Sequence, residues 1–429
     1  MTTLETILQD QRDELMRINF SQLVTRKEEK ELDIESSLAQ IVIGVRRSGK
    51  STLCQKVLME SGVTFAYVNF DDEYLADLPA SQLNSIIECL YKIYGEFTHL
   101  FMDEIQNAAN WPLFVNRLLR QGIHLILTGS NANLLSEELI THLTGRYNEI
   151  RLFPFSFAEY CQINQIDTNS DTTRATGLRE GALDAYLIQG GFPELHKLKN
   201  PNKYVRSLLD TIIMKDICRR YNVHYRKTLS QLANSLLDRF CQEFSYCDIQ
   251  KEFDFKSAHT AKNYVTYLSH AYLMRIVPKF SFKSIEKQNG QKSYPVDLAF
   301  VSNHEDVLQS PNMGWRLENA VAIELMRRLE YETQEIFYLK EHKQYEVDFA
   351  VVDRGKPIEL IQVTYDFNNP STKLYNREIY GLVKGAQMTH CNNLTLIMMS
   401  GKTGDIQKEG KTIHCVLASD WLLGRKSIE

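Results

Sequence analysis

Several hallmarks of membrane, secreted and cysteine-stapled proteins are missing from this 429-residue sequence. No apolar run approaches the roughly 20 residues of a membrane-spanning helix, and the polar start MTTLETILQDQRDELMRI lacks the apolar core of a signal peptide. None of the eight cysteines forms a C-x-x-C pair, which argues against zinc-finger and thiol-redox motifs. Scattered thiols in a large chain favour a reducing compartment. The sequence therefore predicts a cytoplasmic protein with no membrane partner.

Strong charge of one sign is also missing. The formal net charge of −5 argues against a general polyanion binder, although a local basic face remains compatible with it. Hydrophobic residues make up 43% and charged residues 24%, which is typical of soluble globular proteins. The length predicts two to four domains, and two polar stretches, 163–177 and 283–295, are candidate joints between them.

A glycine-rich loop follows the first apolar strand. The β-branched run QIVIG precedes GVRRSGKS and the helical segment KSTLCQKVLMES, the context that a Walker A loop requires. Glycines let backbone N–H groups turn toward phosphate oxygens, and the helix N-terminus adds partial positive charge. Lys50 is expected to contact the β- and γ-phosphates, and the Ser51 hydroxyl to bind Mg²⁺. The predicted nucleotide contacts in the loop are Gly44, Arg47, Ser48, Gly49, Lys50, Ser51 and Thr52.

Side chains within such a loop mostly point away from phosphate. Solvent or a partner is therefore the default environment of Arg46 and Arg47, and a phosphate contact by one of them is the alternative.

An acidic pair ends a second apolar strand, some fifty residues further on. The segment THLFMDEIQN carries Asp103 and Glu104, as a Walker B motif requires. Asp103 is predicted to hold Mg²⁺ and Glu104 to act as the general base toward water.

A third strand, GIHLILTG, ends in polar residues. Ser130 and Asn131 are both candidates to sense the γ-phosphate, and the sequence does not choose between them. A polar turn that caps the strand explains either residue alone equally well.

Five segments in this order resemble the large prokaryotic family of AAA-type ATPases with a C-terminal domain of restriction-endonuclease-like fold. They are GVRRSGKST, LFMDEIQN, LILTGSNANLL, LTGRYNEIRLFPFSFAEY and YLIQGGFPEL. The resemblance runs from about Arg17 to the end of the chain. It implies an α/β P-loop core, ATP and Mg²⁺ as cofactors, and a homo-oligomer at least when ATP is bound.

The family's Gly-Arg feature falls at Arg146, which is predicted to be catalytic. Three interpretations remain open. Arg146 acts as an arginine finger on a neighbouring subunit's γ-phosphate, contacts the nucleotide of its own subunit, or forms a structural ion pair.

The middle of the chain reads as helical. Residues 178–225 resemble the helical lid of AAA-type cores, with a break in the helix at Gly190-Gly191. Asp216, Arg219 and Arg220 either line the inner face of this lid or face solvent. Three further helical segments and a strand pair predict a winged helix.

The predicted recognition helix would display His259, Lys262 and Asn263. Residues 251–290 carry seven Lys or Arg against three acids, which supports contact with duplex DNA. A winged helix used for packing or for a protein partner is the alternative.

The C-terminal part reads as helix, three strands, helix, strand, which is the order of a restriction-endonuclease core. The resemblance implies a helix Glu, a strand Asp and a Glu/Gln-x-Lys pair around Mg²⁺. Glu318, Asp348 and Gln362 match these positions, but Thr364 stands where the lysine is expected.

That departure weakens the nuclease interpretation. Two carboxylates and an amide oxygen suit a divalent metal, but threonine cannot supply positive charge to a phosphate. Lys340, Lys343 or Lys356 are alternative sources of that charge. The sequence therefore favours a degraded nuclease domain, used for binding, over an active one, and a buried polar pair is the simplest alternative.

Together these features predict four domains: a P-loop core (1–162), a helical lid (163–225), a winged helix (226–290) and a restriction-endonuclease-like α/β domain (291–429). The predicted function is an ATP-hydrolysing switch or motor that acts on DNA or a protein partner. An ATP-gated DNA nuclease and a nucleotide-gated interaction scaffold are the alternatives.

Overall fold

The computed structural model describes residues 3–76, 78–130, 143, 145–281, 290–302, 312–330, 332–341 and 345–425. The chain divides into two compact units. Unit 1 comprises Met1–Pro154 and His270–Tyr272, and unit 2 comprises Phe155–Ser269 and Leu273–Glu429. The division into four domains remains a prediction.

Unit 1 is built around a five-stranded parallel sheet. Its strands are β1 (Ala39–Ile43), β2 (Phe65–Asn69), β3 (His99–Asp103), β4 (His124–Gly129) and β5 (Tyr147–Arg151). They lie in the order β2-β3-β4-β1-β5. Strands β1 and β3 are buried along their whole length, as expected in a parallel sheet covered on both faces. The sheet confirms the predicted α/β core.

Helices on this sheet bury apolar faces against it. They are α1 (Leu4–Met16), α2 (Lys50–Ser61), α3 (Leu83–Tyr94) and α4 (Trp111–Arg120). Leu53 and Leu58 of α2 share one core with Val42, Phe101 and Ile126 of the sheet. Each such side chain contributes about 1.5–3 kcal/mol through its burial. This core fixes α2, and with it the glycine loop, at the end of β1.

Unit 2 begins with helices. They are α5 (Phe157–Ile163), α6 (Thr173–Gln189) and α7 (Pro201–Thr211). Helix α6 ends before Gly190-Gly191, as predicted, and a 3₁₀ turn, Pro193–Lys197, follows. Both glycines pack tightly, because a Cβ on Gly191 would lie 2.3 Å from the Phe155 carbonyl oxygen. Asp297 accepts hydrogen bonds from the N–H groups of Gly191 and Ala299.

Replacing Gly191 by Ala is expected to destabilise the protein by at least about 2 kcal/mol, because the new Cβ would meet a backbone carbonyl oxygen, which yields less easily than the end of a flexible side chain. Gly181→Ala is the control, since nothing lies within 4 Å of its Cβ position inside α6. It should be neutral or stabilising by up to about 1 kcal/mol. Thermal unfolding of both variants measures the difference. Equal melting temperatures would contradict the tight packing at Gly191.

Helix α7 continues into a π-helical stretch, Ile212–Arg219, where the sequence predicted an ordinary helix. The buried residues explain the wider turn, because Ile212 and Ile217, and also Ile213 and Cys218, are five positions apart. A π-helix brings positions i and i+5 to the same side. The apolar spacing alone did not distinguish the two helix types.

Three helices and a small antiparallel sheet come next. The helices are α8 (Arg226–Asp238), α9 (Tyr246–Glu252) and α10 (Ala258–His270), and the strands are β6 (Glu243–Phe244), β7 (Met274–Pro278) and β8 (Gln291–Pro295). The strand order is β6-β8-β7. The predicted order of three helices and a strand pair is present, with β6 as an additional short strand. The winged-helix assignment stays a prediction.

A six-stranded mixed sheet forms the C-terminal part of unit 2. Its strands are β9 (Gln334–Glu341), β10 (Tyr345–Asp353), β11 (Lys356–Asp366), β12 (Leu394–Ser400), β13 (Gly404–Lys408) and β14 (Lys411–Leu417). Their order is β13-β14-β12-β11-β10-β9. The helices are α11 (Ala299–Ser302), α12 (Met313–Arg328), α13 (Thr372–Thr389) and α14 (Ala418–Leu422). The predicted run of helix, three strands, helix and strand is present.

Candidate functional site

The glycine loop adopts the backbone that its sequence suggests. Gly44 has a φ of 150°, and a Cβ there would lie 2.1 Å from the Leu152 carbonyl oxygen. Gly49, with a φ of 99°, precedes α2, and no side chain caps that helix. The first N–H groups of α2 therefore face the loop, as in an anion-binding helix start.

Lys50 occupies the centre of the loop. Its ammonium group donates to the carbonyl oxygens of Gly44 and Val45, both at 3.1 Å, and to the Ser130 hydroxyl at 3.3 Å. It lies 3.9 Å from a Glu104 carboxylate oxygen. The side chain is only 3% exposed, so its charge is directed into the site.

Asp103 and Ser51 meet at the mouth of the loop. The Ser51 hydroxyl donates to Asp103 Oδ1 at 2.8 Å, and Thr128 donates to the same oxygen. Burial, followed by repulsion from Glu104, raises the pKa of Asp103 to about 6. A hydroxyl beside a carboxylate is a pair of hard oxygen ligands, which Mg²⁺ prefers.

Glu104 lies next to this pair, at the same edge of the sheet. Its backbone N–H donates to the Thr128 hydroxyl at 2.9 Å, and its φ of 50° is unusual for a residue other than glycine. Ser130 and Gln106 donate hydrogen bonds to its two carboxylate oxygens. Burial raises the pKa of Glu104, but Lys50, Arg46 and these hydrogen bonds offset the burial and hold the pKa below its usual value.

Of the two predicted sensors, Ser130 bridges Lys50 and Glu104. Asn131 lies outside the described residues. The site thus holds Ser130 at its centre, while the sensing role of either residue stays a prediction.

The two loop arginines have different surroundings. Arg46 forms an ion pair with Asp71 at 3.0 Å, whereas Arg47 is exposed and has a φ of 69°. Thr52 is half-buried in the first turn of α2. The predicted nucleotide contact of Arg47 stays a prediction.

Arg146 does not join the site of its own chain. It precedes β5, which runs parallel to β1 with Tyr147 beside Ala39. Arg146 therefore lies at the amino-terminal ends of the parallel strands, whereas the glycine loop with Lys50 follows the carboxyl-terminal end of β1; a five-residue strand between these two ends is about 16 Å long. Its guanidinium donates to Asn116 at 2.6 Å. This position disfavours contact with the nucleotide of the same subunit.

Two residues of the site were missed by the sequence analysis. Thr128 contacts both Asp103 and Glu104, and its place at the tip of β4 was the available signal. Arg26 is buried and donates to the carbonyl oxygens of Ser48, at 3.3 Å, and Phe153, at 2.7 Å. No local pattern links Arg26 to the loop, because the two lie about twenty residues apart in the sequence.

A buried polar atom in the loop tests whether these residues suit a phosphate. The Ser48 hydroxyl has no hydrogen-bond partner within the described part of the chain, although the side chain is fully buried. Buried polar groups are rarely left unsatisfied without a functional reason. An unsatisfied hydroxyl, the uncapped start of α2 and a buried ammonium group together fit a triphosphate with Mg²⁺.

A second polar cluster lies in unit 2, and it contains the three residues predicted there. Asp348 and Gln362 are joined by a hydrogen bond from the Asp348 N–H to Gln362 Oε1 at 3.3 Å. Lys292 connects Glu318 to this pair, because its ammonium group lies 3.1 Å from Glu318 and 3.9 Å from Asp348. Thr364 is buried beside them.

Lys292 was not among the lysines predicted to replace the missing charge. Of those, Lys340 contacts Glu243 and Glu346, and Lys356 is exposed at the start of β11. Lys343 lies outside the described residues. Burial lowers the pKa of Lys292, but Glu318, Asp348 and Glu346 outweigh it and raise the pKa well above its usual value.

Exposed basic residues mark helix α10 and its approach. Lys256, His259 and Lys262 are exposed, and Asn263 is half-buried. The basic residues at 283 and 287 lie outside the described residues. No helix in the described ranges is long and apolar enough to cross a membrane.

Comparison with known proteins connects this site to a family. A family model for an AAA domain matches residues 36–161, and a model for a domain of unknown function (DUF8612) matches residues 180–309. An uncharacterized protein of Methanocaldococcus jannaschii is 33% identical over 380 residues, which cover 85% of this chain and 83% of that protein. An uncharacterized protein of Haemophilus influenzae is 28% identical over 406 residues, which cover 91% and 95%.

Among solved structures, the chain is similar to the Walker-type ATPase of Pyrococcus abyssi. The identity is 17% and the TM-score 0.41, with 66% of this chain and 96% of that chain covered. The glycine loop and the acidic end of β3 both lie within the residues that match the AAA-domain model. The chain belongs to the family of the Methanocaldococcus jannaschii protein, and its residues 36–161 form a domain with the fold of AAA-type P-loop ATPases.

Proposed function

We propose that the chain binds and hydrolyses ATP with Mg²⁺ and works as a nucleotide-driven switch or motor. The observation that carries this proposal is the convergence of Lys50, Asp103 and Glu104 at one edge of the sheet, with Ser130 bonded to both Lys50 and Glu104. A scaffold that only binds nucleotide would not need a buried carboxylate beside the lysine. Phosphate release from ATP by the purified chain, measured with and without DNA, tests the proposal.

The loop residues would hold the triphosphate, and Ser51 with Asp103 would hold Mg²⁺. When bound, Mg²⁺ neutralises charge on the phosphate oxygens. Lys50 is directed to the same phosphates, because its ammonium group already lies against loop carbonyl oxygens that a phosphate would replace. Thr128 fixes the two acids relative to each other through its hydroxyl group.

Glu104 is the proposed general base toward water. Its lowered pKa keeps it ionised at neutral pH, as a base requires. Its hydrogen bonds with Ser130 and Gln106 hold the carboxylate beside Lys50. A base in this position takes a proton from water as the water attacks the terminal phosphate.

Assembly is the proposed route by which Arg146 takes part. Because Arg146 lies at the end of the sheet opposite to the ATP site of its own chain, it would contact the nucleotide of a neighbouring subunit when chains form a homo-oligomer. The proposal for a duplex-DNA partner rests on the exposed Lys256, His259 and Lys262. A protein partner at the same helix is the alternative.

Arg146→Ala is expected to bind ATP normally and to lose turnover. Mixing it with Lys50→Ala should restore part of the activity, because a Lys50→Ala subunit still supplies an intact Arg146 to its neighbour. Phosphate release from the mixture, against each variant alone, is the measurement. Arg120→Ala, at an exposed position of α4, serves as the control. A monomeric mass, with a specific rate that does not depend on protein concentration, would exclude this role.

Neutralising Lys256, Lys262 and Lys279 together, by substitution with Gln, is expected to weaken duplex-DNA binding and to flatten its salt dependence. Each phosphate contact removed should reduce the slope of log affinity against log salt by about 0.9. Fluorescence anisotropy with labelled duplex DNA, over a series of salt concentrations, measures the slope.

Three exposed lysines elsewhere in unit 2 provide the matched control. They are Lys373, Lys402 and Lys408. The same slope in both triple variants would place DNA binding elsewhere, and no binding at low salt would favour a protein-contact role for this helix.

A further inference from the structure

Two histidines stack at the amino-terminal end of the parallel sheet in unit 1. His99 begins β3 and His124 begins β4, and the two residues lie beside each other in the register of these strands. Their ring centroids are 4.7 Å apart, and the ring planes differ by only 20°. Parallel pairing of the strands therefore holds two imidazoles together, at the end of the sheet away from the glycine loop.

Glu35 completes a group of three potential metal ligands with these histidines. One nitrogen of each imidazole and one carboxylate oxygen of Glu35 all lie within 4.8 Å of one another. Ligand atoms around a tetrahedral zinc ion lie about 3.3 Å apart, because each bond from zinc to nitrogen or oxygen measures about 2.0–2.2 Å. The three atoms therefore need to approach one another by at most about 1.5 Å. His99 is buried, but Glu35 is exposed, and its long side chain can make this adjustment.

The backbone on either side of Glu35 orients both rings. His99 Nε2 donates to the Ile34 carbonyl oxygen at 3.1 Å. His124 Nδ1 donates to the Ser36 carbonyl oxygen at 3.0 Å. A carbonyl oxygen only accepts hydrogen bonds, so these two nitrogens carry hydrogen and the other nitrogen of each neutral ring holds a lone pair. Histidines that bind metals donate their second ring N–H to such a carbonyl in most known sites.

Both lone pairs are accessible to a metal ion. The lone pair of His124 falls on Nε2, and that of His99 falls on Nδ1. The Thr98 hydroxyl lies 2.8 Å from His99 Nδ1, but it also lies 3.2 Å from the Thr64 carbonyl oxygen. It can donate to Thr64 instead and release the histidine. Burial, followed by His124, lowers the pKa of His99, so this ring is neutral at neutral pH, which is the form that binds metal.

The types of ligand select the metal. Imidazole nitrogen suits Zn²⁺ and its transition-metal neighbours, whereas Mg²⁺ and Ca²⁺ prefer oxygen ligands. Two histidines and one carboxylate bind zinc with three protein ligands, and water takes the fourth position. The pair of Ser51 and Asp103 in the glycine-loop site offers only oxygen. The two sites should therefore differ in the metal that they prefer.

We propose that Glu35, His99 and His124 form a zinc-binding site, which ties the segment before β1 to the first residues of β3 and β4. The ion joins three segments that are distant in the sequence. An ion that binds the folded chain and not the unfolded chain stabilises the fold, so zinc should stabilise unit 1 against unfolding. The site lies apart from the glycine loop, and the proposal does not depend on ATP hydrolysis.

Zinc binding is measured in full-length protein without a histidine tag. The protein carries Cys247→Ser, because Cys247 is exposed and thiolates also bind zinc. Calorimetric titration with Zn²⁺ should show one saturable site, and Mg²⁺ should not compete for it. The visible spectrum of bound Co²⁺, used in place of zinc, should show nitrogen and oxygen ligands. Absence of saturable binding, or a spectrum with thiolate charge-transfer bands, would overturn the site.

Variants of the ligands locate the ion. His124→Gln and Glu35→Gln should each weaken the affinity at least about tenfold, because loss of even the outer partners of a metal ligand costs that much. His224→Gln and Glu60→Gln change matched residues at exposed positions and should leave the affinity unchanged. Equal affinities in His124→Gln and His224→Gln would overturn the site.

The melting temperature tests whether the ion ties the three segments together. Zn²⁺ at about 100 times its dissociation constant should raise the melting temperature of the Cys247→Ser protein by about 5 °C or more. The same concentration should raise that of His124→Gln much less. Zinc binding that leaves the melting temperature unchanged would overturn the stabilising role. If His124→Gln does not fold, Glu35→Gln, at an exposed position, decides both questions.

Discussion

Glu104→Gln is expected to bind ATP with unchanged affinity and to release phosphate about 10²–10⁴-fold more slowly than the wild type. Glutamine keeps the shape of the side chain and can still bond with Ser130 and Gln106, but it cannot take a proton from water. The measurement pairs equilibrium binding of a fluorescent ATP analogue with steady-state phosphate release.

Glu60→Gln, at an exposed position near the end of α2, provides the control and should retain both binding and turnover. Normal turnover in the Glu104→Gln protein would show that another group acts as the base. Loss of ATP binding would mean instead that Glu104 shapes the site rather than the reaction.

Lys50→Ala is expected to weaken ATP binding by about 100-fold or more, and turnover should disappear with it. The substitution removes the buried ammonium group that bonds to two loop carbonyl oxygens and to Ser130. A hydrogen bond to a charged group is worth about 1.5–3 kcal/mol, and 2.7 kcal/mol corresponds to about 100-fold in affinity. Calorimetric titration with ATP and Mg²⁺ measures the change.

Lys92→Ala, at an exposed position of α3, should bind ATP as the wild type does. Melting temperatures of both variants separate loss of binding from loss of folding. If Lys50→Ala keeps its affinity for ATP, the loop does not hold the phosphates.

The parts of the fold and site that the sequence predicted are those with local signals. The strand, glycine loop and helix around Lys50 occupy one continuous segment, and Asp103 and Glu104 directly follow an apolar strand. Polar residues that follow parallel strands meet at one edge of the sheet. The meeting of Lys50 with Glu104 and Ser130 followed from that geometry.

The residues that the sequence did not predict depend on contacts between distant segments. Lys292 reaches Glu318 and Asp348 from a strand of a different sheet, and nothing in the segment QKSYP marks it as part of a charged cluster. Arg26 reaches the loop across about twenty residues. In the sequence, both residues resemble ordinary exposed charges. In the structure, both side chains are buried.

Arg146 illustrates a different limit. The sequence left three roles open, because a Gly-Arg pair carries no information about which edge of the sheet it will occupy. Its place at the start of β5 argues against contact with its own nucleotide. The two remaining roles are an arginine finger for a neighbouring subunit and a structural ion pair. The hydrogen bond from Arg146 to Asn116 is compatible with both roles.

Phosphate release from ATP by the purified wild-type chain, measured against Mg²⁺ concentration, most directly tests the claim that this chain hydrolyses ATP at the Lys50 site. The account predicts a turnover that depends on Mg²⁺, stops when EDTA is added, resumes when Mg²⁺ is restored, and is absent from the Lys50→Ala and Glu104→Gln proteins. Phosphate release that persists in both variants, or no ATP binding by the wild type at millimolar ATP and Mg²⁺, would contradict it.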